Sequence, residues 1–161
     1  MSKKEITLLG VLAALAAALL IVLLTREDEI IVNDFVPPAF DSAAVSGLPV
    51  GVDTSIYGTL ILADGIAVSL YSAPTVTDGT AQVFFASHAS NTAWVRLRLL
   101  DAQGDLLGET GLLRPGEYVE SLILQTMPKS KQVTAKILTY QPDTYYSMGS
   151  ATAQLQLRFA D

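Results

Sequence analysis

The chain has 161 residues, half of them hydrophobic, a net charge of −6 and no cysteine. That length allows one folded unit and an attachment. The missing thiols exclude disulfides, thiolate catalysis, Cys-based zinc sites and a lipid-modified N-terminal cysteine. The acidic balance argues against a nucleic-acid binder, which works by neutralising phosphates.

The attachment comes first. Residues 6–24 contain no charge and are interrupted only by Thr7 and Gly10. A helix of that length reaches roughly 28 Å at about 1.5 Å per residue, matching a hydrocarbon core of roughly 30 Å. The run is longer than the apolar stretch of a secretory signal, and cleavage at the small residues Ala16 and Ala18 would leave Leu19 to Leu24 as an apolar new terminus. An uncleaved transmembrane anchor over 1–25 is therefore expected, with cleavage as the alternative. Lys3 and Lys4 before the run, against Arg26 followed by Glu27, Asp28 and Glu29 after it, place the N-terminus in the cytoplasm and the rest outside. The first 25 residues carry only Lys3, Lys4 and Glu5, so the exported remainder stands at about −7. Gly10, Ala14 and Ala18 recur four apart, a spacing that would allow self-association through the helix; an ordinary alanine-rich span is the plainer reading. A type IV prepilin starts similarly, but here Glu5 precedes the apolar run and no glycine cleavage site does.

Residues 26–55 hold Pro37, Pro38, Pro49 and several acids, which predicts an extended, acidic stalk. Two apolar stretches in it, 30–32 and 35–36, exceed what a spacer needs and leave open docking on the domain or on a partner.

From Ile56 onward, short β-branched and aromatic runs alternate with Gly, Pro, Asn and Asp turns. The expected fold class is all-β, an immunoglobulin-like antiparallel β-sandwich of about seven to eight strands over 56–161. Strands are predicted near 57–62, 66–72, 80–87, 93–100, 106–111, 117–125, 132–140 and 151–160. Alternation sends Ala81, Val83, Phe85, Val95, Leu97, Leu99, Val133, Ala135, Ile137, Ala151, Ala153, Leu155, Leu157 and Phe159 inward. The segments Asp78–Ala81, Ser90–Leu100, Gly108–Glu120 and Tyr140–Tyr145 together resemble a group of short, membrane-anchored exported proteins of Firmicutes to which no activity is assigned. The resemblance covers roughly the last hundred residues. It implies an extracytoplasmic immunoglobulin-like β domain and lends no functional residues.

Catalytic chemistry finds little purchase. His88 is the only histidine, and a triad or a His-based metal site would have one imidazole to draw on; a solvated loop histidine is expected. The acids Asp64, Asp78, Asp101, Asp105 and Asp143 come singly at turns and suit capping of their own backbone better than calcium. Glu117 and Glu120 fall on opposite strand faces, unlike a glycosidase pair. No G-x-S-x-G, P-loop, Rossmann, HExxH or sorting motif is present. No enzyme activity, cofactor or metal is expected.

The candidate binding face lies on the outward side of the strands near 93–100, 132–140 and 151–160, expected to be sheet neighbours. It gathers Trp94, Arg96, Arg98, Lys136, Tyr140 and Arg158, with Tyr145 and Tyr146 from the adjoining loop. Trp, Tyr and Arg are the residues that most often carry interface energy. The face is expected to bind an acidic or carbohydrate-rich ligand or an envelope protein. The plainer alternative is a solvated face whose arginine stems cover Trp94. Three functions remain open: a tethered non-enzymatic interaction or structural module of the cell envelope, a pilus or filament subunit, and an accessory domain that positions a separate envelope enzyme.

Overall fold

A computed structural model describes residues 36–160 together with Lys3. The expected anchor over 6–24 and the apolar stretch 30–32 lie outside the described residues. Among the described residues, no helix is long and apolar enough to cross a membrane.

The chain divides between Val36 and Pro37, and the second unit, Pro37–Asp161, is all-β. Eleven strands follow in order among the described residues: β1 (Val45–Ser46), β2 (Tyr57–Ile61), β3 (Ala67–Tyr71), β4 (Thr75–Thr77), β5 (Thr80–Ser87), β6 (Trp94–Leu100), β7 (Leu106–Glu109), β8 (Glu117–Ile123), β9 (Gln132–Tyr140), β10 (Ser147–Gln156) and β11 (Arg158–Phe159). They form two sheets. One runs β1-β8-β5-β3-β2, with β4 also paired to β5 and to β11; the other runs β10-β9-β6-β7. Every pairing is antiparallel except β11 with β4, so the architecture is a two-sheet β-sandwich.

Turn chemistry sets the register. Asp78 and Gly79 have φ of 48° and 74° and close the β4–β5 hairpin, the left-handed pair that matches strand twist. In the β6–β7 turn, Asp101 Oδ1 accepts from the amides of Gln103 and Asp105, each at 2.9 Å. Arg114 O accepts from Glu117 N at 3.1 Å across Pro115-Gly116, with Gly116 at φ 78°; this is the Pro-Gly placement of a type II turn.

Alternation then fills the core. In β6, buried and half-buried residues alternate without interruption, and β9 does the same after its first residue. Val95, Leu97, Leu99, Ile137, Val83 and Phe85 are fully enclosed, each worth about 1.5–3 kcal/mol of transfer free energy. In β5 a bulge opposite β8 lets Phe84 turn outward at φ 43° while Val83 and Phe85 both stay inside. Phe84 meets Tyr71 at 4.8 Å, and Tyr71 meets Tyr57 at 5.9 Å, building an aromatic cap on the outer side of that sheet.

Two expectations are corrected. Residues 37–55, read as stalk, belong to the folded unit. Asp41 N donates to Leu112 O (3.0 Å), Leu112 N to Ala39 O (2.9 Å) and Gly47 N to Gly116 O (2.8 Å), while Val45 and Ser46 pair with β8. Tertiary hydrogen bonding outweighs the proline content here. The final predicted strand, 151–160, is two strands in different sheets. Gln156 N donates to Ser72 O and Leu157 N to Lys131 O, so the chain crosses the sandwich at this point. Phe159, expected inside, is 38% exposed.

Candidate functional site

The four-stranded sheet places most of the expected face together. Trp94 pairs with Tyr140, Arg96 with Leu138 and Arg98 with Lys136 across β6 and β9. Beyond β9, Thr152 of β10 lies opposite Lys136, and Ser147 opposite Tyr140. All these side chains share the outer side because the inward neighbours Val95, Leu97 and Ile137 fill the core.

Arg158 is not among them. It sits on β11, donates its amide to Pro74 O at 2.9 Å and is paired with β4 of the opposite sheet. Its charge acts there on Asp53, whose carboxyl lies below the usual carboxylate range. That lowering comes mainly from the Ser55 hydroxyl and amide, with Arg158 contributing less.

The aromatic part of the face is already occupied by the protein itself. Trp94 is held edge-on between Phe40, at 4.8 Å and 77°, and Tyr145, at 5.0 Å and 63°. The Arg114 guanidinium lies 3.6 Å over the Phe40 ring, a cation–π contact. Phe40 and Tyr145 therefore both cover Trp94. Phe40 can approach because Gly111 has no side chain: a Cβ there would stand 2.5 Å from Asp41 Cα and 2.8 Å from the Phe40 carbonyl carbon. Asp41 Oδ2 also accepts from Gly111 N at 2.7 Å, locking the two segments.

The cations are similarly engaged. Arg96 pairs with Glu109 of β7, and its Nε donates to Thr110 O at 2.8 Å; Arg98 Nε donates to the other Glu109 oxygen at 2.8 Å. One carboxylate thus orients two guanidinium groups and leaves one positive charge uncompensated, to which Lys136 adds another. The side chain of Arg96 is 15% exposed and that of Arg98 37%, so Arg98 is the one offered to a ligand. Tyr146 is 72% exposed in the turn directly before β10. Tyr145 reaches Trp94 from a left-handed backbone position (φ 58°) in a turn closed by Gln141 N to Tyr146 O (2.8 Å). A shallow depression of about 340 Å³ adjoins Arg96, lined also by Phe40, Asp41, Glu109 and Gln125.

His88, expected as a solvated loop residue, is half-buried, and its Nε2 lies 2.8 Å from Ser69 Oγ. Ser69 in turn hydrogen-bonds Thr59 Oγ1 at 2.8 Å. Nearby, buried Asn91 accepts from Ala67 N and donates to Ala67 O, both at 2.8 Å, which ties the loop after β5 to β3. The chain Thr59–Ser69–His88 joins three strands' worth of sequence, and no local spacing could have revealed it; the polar Ser69 between Val68 and Leu70 was the only signal. Among the described residues, no three His, Cys, Asp or Glu side chains are grouped to hold a metal. No buried side-chain nitrogen or oxygen among them lacks a hydrogen-bond partner.

Comparison with protein-family models, with curated proteins and with solved structures gives no match to this chain.

Proposed function

We propose that this protein is a membrane-tethered, extracytoplasmic, non-enzymatic interaction module of the cell envelope. Its immunoglobulin-like sandwich presents the outer face of β6, β9 and β10 to an acidic or carbohydrate-rich partner. The reading is carried by one observation: a single outer sheet face carries Trp94, held between Phe40 and Tyr145 and paired with Tyr140 at one end, with Arg98 and Lys136 farther along the same two strands. A rigid aromatic shelf with an oriented guanidinium stacks on sugar rings and pairs with anionic groups at small entropic cost. The immunoglobulin-like assignment is supported by strand order, since β10-β9-β6-β7 and β8-β5-β3 correspond to the two sheets of that fold. The tether is supported by the uncharged run 6–24 and its flanking charges.

The test uses the full-length chain in detergent micelles on two matrices, an immobilised polyol-phosphate polymer and a neutral β-glucan. Retention on either matrix is expected, and it is expected to fall with Lys136→Ala combined with Tyr146→Ala while thermal unfolding stays unchanged. Absence of retention on both matrices, or equal retention of the double variant, overturns the reading.

A filament subunit is a second reading, favoured by the long bare edge of β10.

A further inference from the structure

The edges of the two sheets are not equally protected. β1 and β11 have two residues each, β7 has four, and β2 has five with Gly58 inside it. β10, at the edge of the four-stranded sheet, has ten residues, Ser147–Gln156, with β9 as its only pairing partner among the described residues. It contains no charge and no proline, and its register irregularity is confined to the Ser147–Gly149 end. Natural edge strands are ordinarily blunted by lysine, proline, bulges or brevity. The segment from Ser150 to Gln156 has none of these.

Its backbone direction can be assigned. Gln156 N donates away from β9 to Ser72 O, whereas Leu157 N donates towards β9's side to Lys131 O. With the two-residue repeat of an antiparallel strand, the N–H and C=O groups of Ser150, Thr152 and Gln154 point off the open edge. Beside that edge runs a cleft of about 150 Å³ lined by Leu60 and Leu70 from the other sheet and by Ala153 and Leu155.

We propose that two copies of this chain pair through β10, antiparallel about a two-fold axis at Thr152, joining their four-stranded sheets into one. The sequence is self-complementary in that register. Thr152 faces its own copy, Ser150 faces Gln154, and the three pairs exchange about six backbone hydrogen bonds. On the inner side Ala151 meets Ala153, small enough for the close approach of a non-hydrogen-bonded pair. On the outer side only hydroxyl and amide side chains meet, so no like charges are opposed, which is the usual obstacle to self-pairing of a strand. The nearest cation, Lys136 on β9, lies three strand spacings from its copy, about 14 Å, beyond a physiological screening length of about 8 Å. A second copy is favoured over a charged partner strand because the edge offers no charge for such a partner to match.

The chain is free of cysteine, so single cysteines report the geometry in the full-length protein. Under mild oxidation, Thr152→Cys is expected to form a covalent dimer, and so is a mixture of Ser150→Cys with Gln154→Cys, whereas Ser150→Cys alone is not, since residue 150 lies four positions from its copy. Adding Thr152→Lys to the Ser150→Cys and Gln154→Cys chains opposes two charges at the axis and should cut cross-linking about fivefold. Residues 150, 152 and 154 are exposed, and a matching thermal unfolding curve shows that each variant folds. Three outcomes overturn the proposal: cross-linking of Thr152→Cys no greater than of Gln103→Cys in the exposed β6–β7 turn, cross-linking of Ser150→Cys to itself alone, or a cross-link from Thr152→Cys to a different polypeptide.

Discussion

The two edges of the four-stranded sheet manage exposure in opposite ways. β7 is short, and its surroundings close it off: Gln125 N donates to Leu107 O at 2.7 Å, and just beyond the strand the segment 39–41 is hydrogen-bonded to Gly111 and Leu112. Glu109 adds a charge there and uses it to fix Arg96 and Arg98. β10 is long, neutral and bare. The contrast teaches that the protein spends a stretch of N-terminal chain on guarding one edge and leaves the other available. The guarded edge adjoins the aromatic shelf, so protection of β7 and rigidity of Trp94 come from the same segment.

The strongest way to break this comparison is Gly111→Ala. The added Cβ has no room against Asp41 and Phe40, so either the segment 39–41 or β7 must move, at about 1–3 kcal/mol for overpacking. A lowered unfolding midpoint is expected together with increased Trp94 fluorescence quenching, because Phe40 no longer covers the indole. An unchanged midpoint would mean that the segment does not guard the edge. Glu109→Ala should act more weakly, by about 1–2 kcal/mol, chiefly through Arg96, whose half-buried guanidinium loses its carboxylate. Arg98 is exposed enough for water to replace its partner. Denaturant midpoints measured on Arg96→Ala, Glu109→Ala and the double variant would isolate the pair.

The smallest effect concerns the edge of the other sheet. Burial pushes the Tyr57 phenol on β2 above the ordinary range, partly opposed by a hydrogen bond with Ser69. The folded protein therefore favours the neutral phenol. That contribution is complete below a pH of about 10, the ordinary phenol value, and is lost as pH rises through the raised folded value. Tyr57→Phe should make the alkaline loss of stability shallower. Unfolding midpoints of both proteins across the alkaline range would check the sign.

Much of the sandwich was legible in the chain. The alternations around Val95–Leu99 and Val133–Ile137 gave both strand position and buried face, since a two-residue repeat on a half-buried sheet leaves few other solutions. Gly, Pro and Asp turns separated most of the longer strands, but β4 and the Asp78-Gly79 hairpin that joins it to β5 were not anticipated, because three residues are too few to show an alternation. The contribution of Phe40 was hidden, because a lone aromatic among prolines and acids has no periodicity and its partner Trp94 is more than fifty residues away. Arg158 was misplaced for a related reason. Alternation continues unbroken from Ala151 to Phe159, and nothing local marks Leu157 as the point where the chain leaves one sheet for the other.

The sequence by itself determined most of the longer strands, the inward faces of β5, β6 and β9 and the net acidity of the molecule, because these depend on residue type and near-neighbour spacing. Only the tertiary structure decided which cations remain available, what covers Trp94 and which strand edge is bare. Those properties arise where segments distant in the chain meet, as when Glu109 takes up both arginines and the 39–41 segment packs against Gly111. Such meetings are set by packing of the whole sandwich rather than by any local pattern.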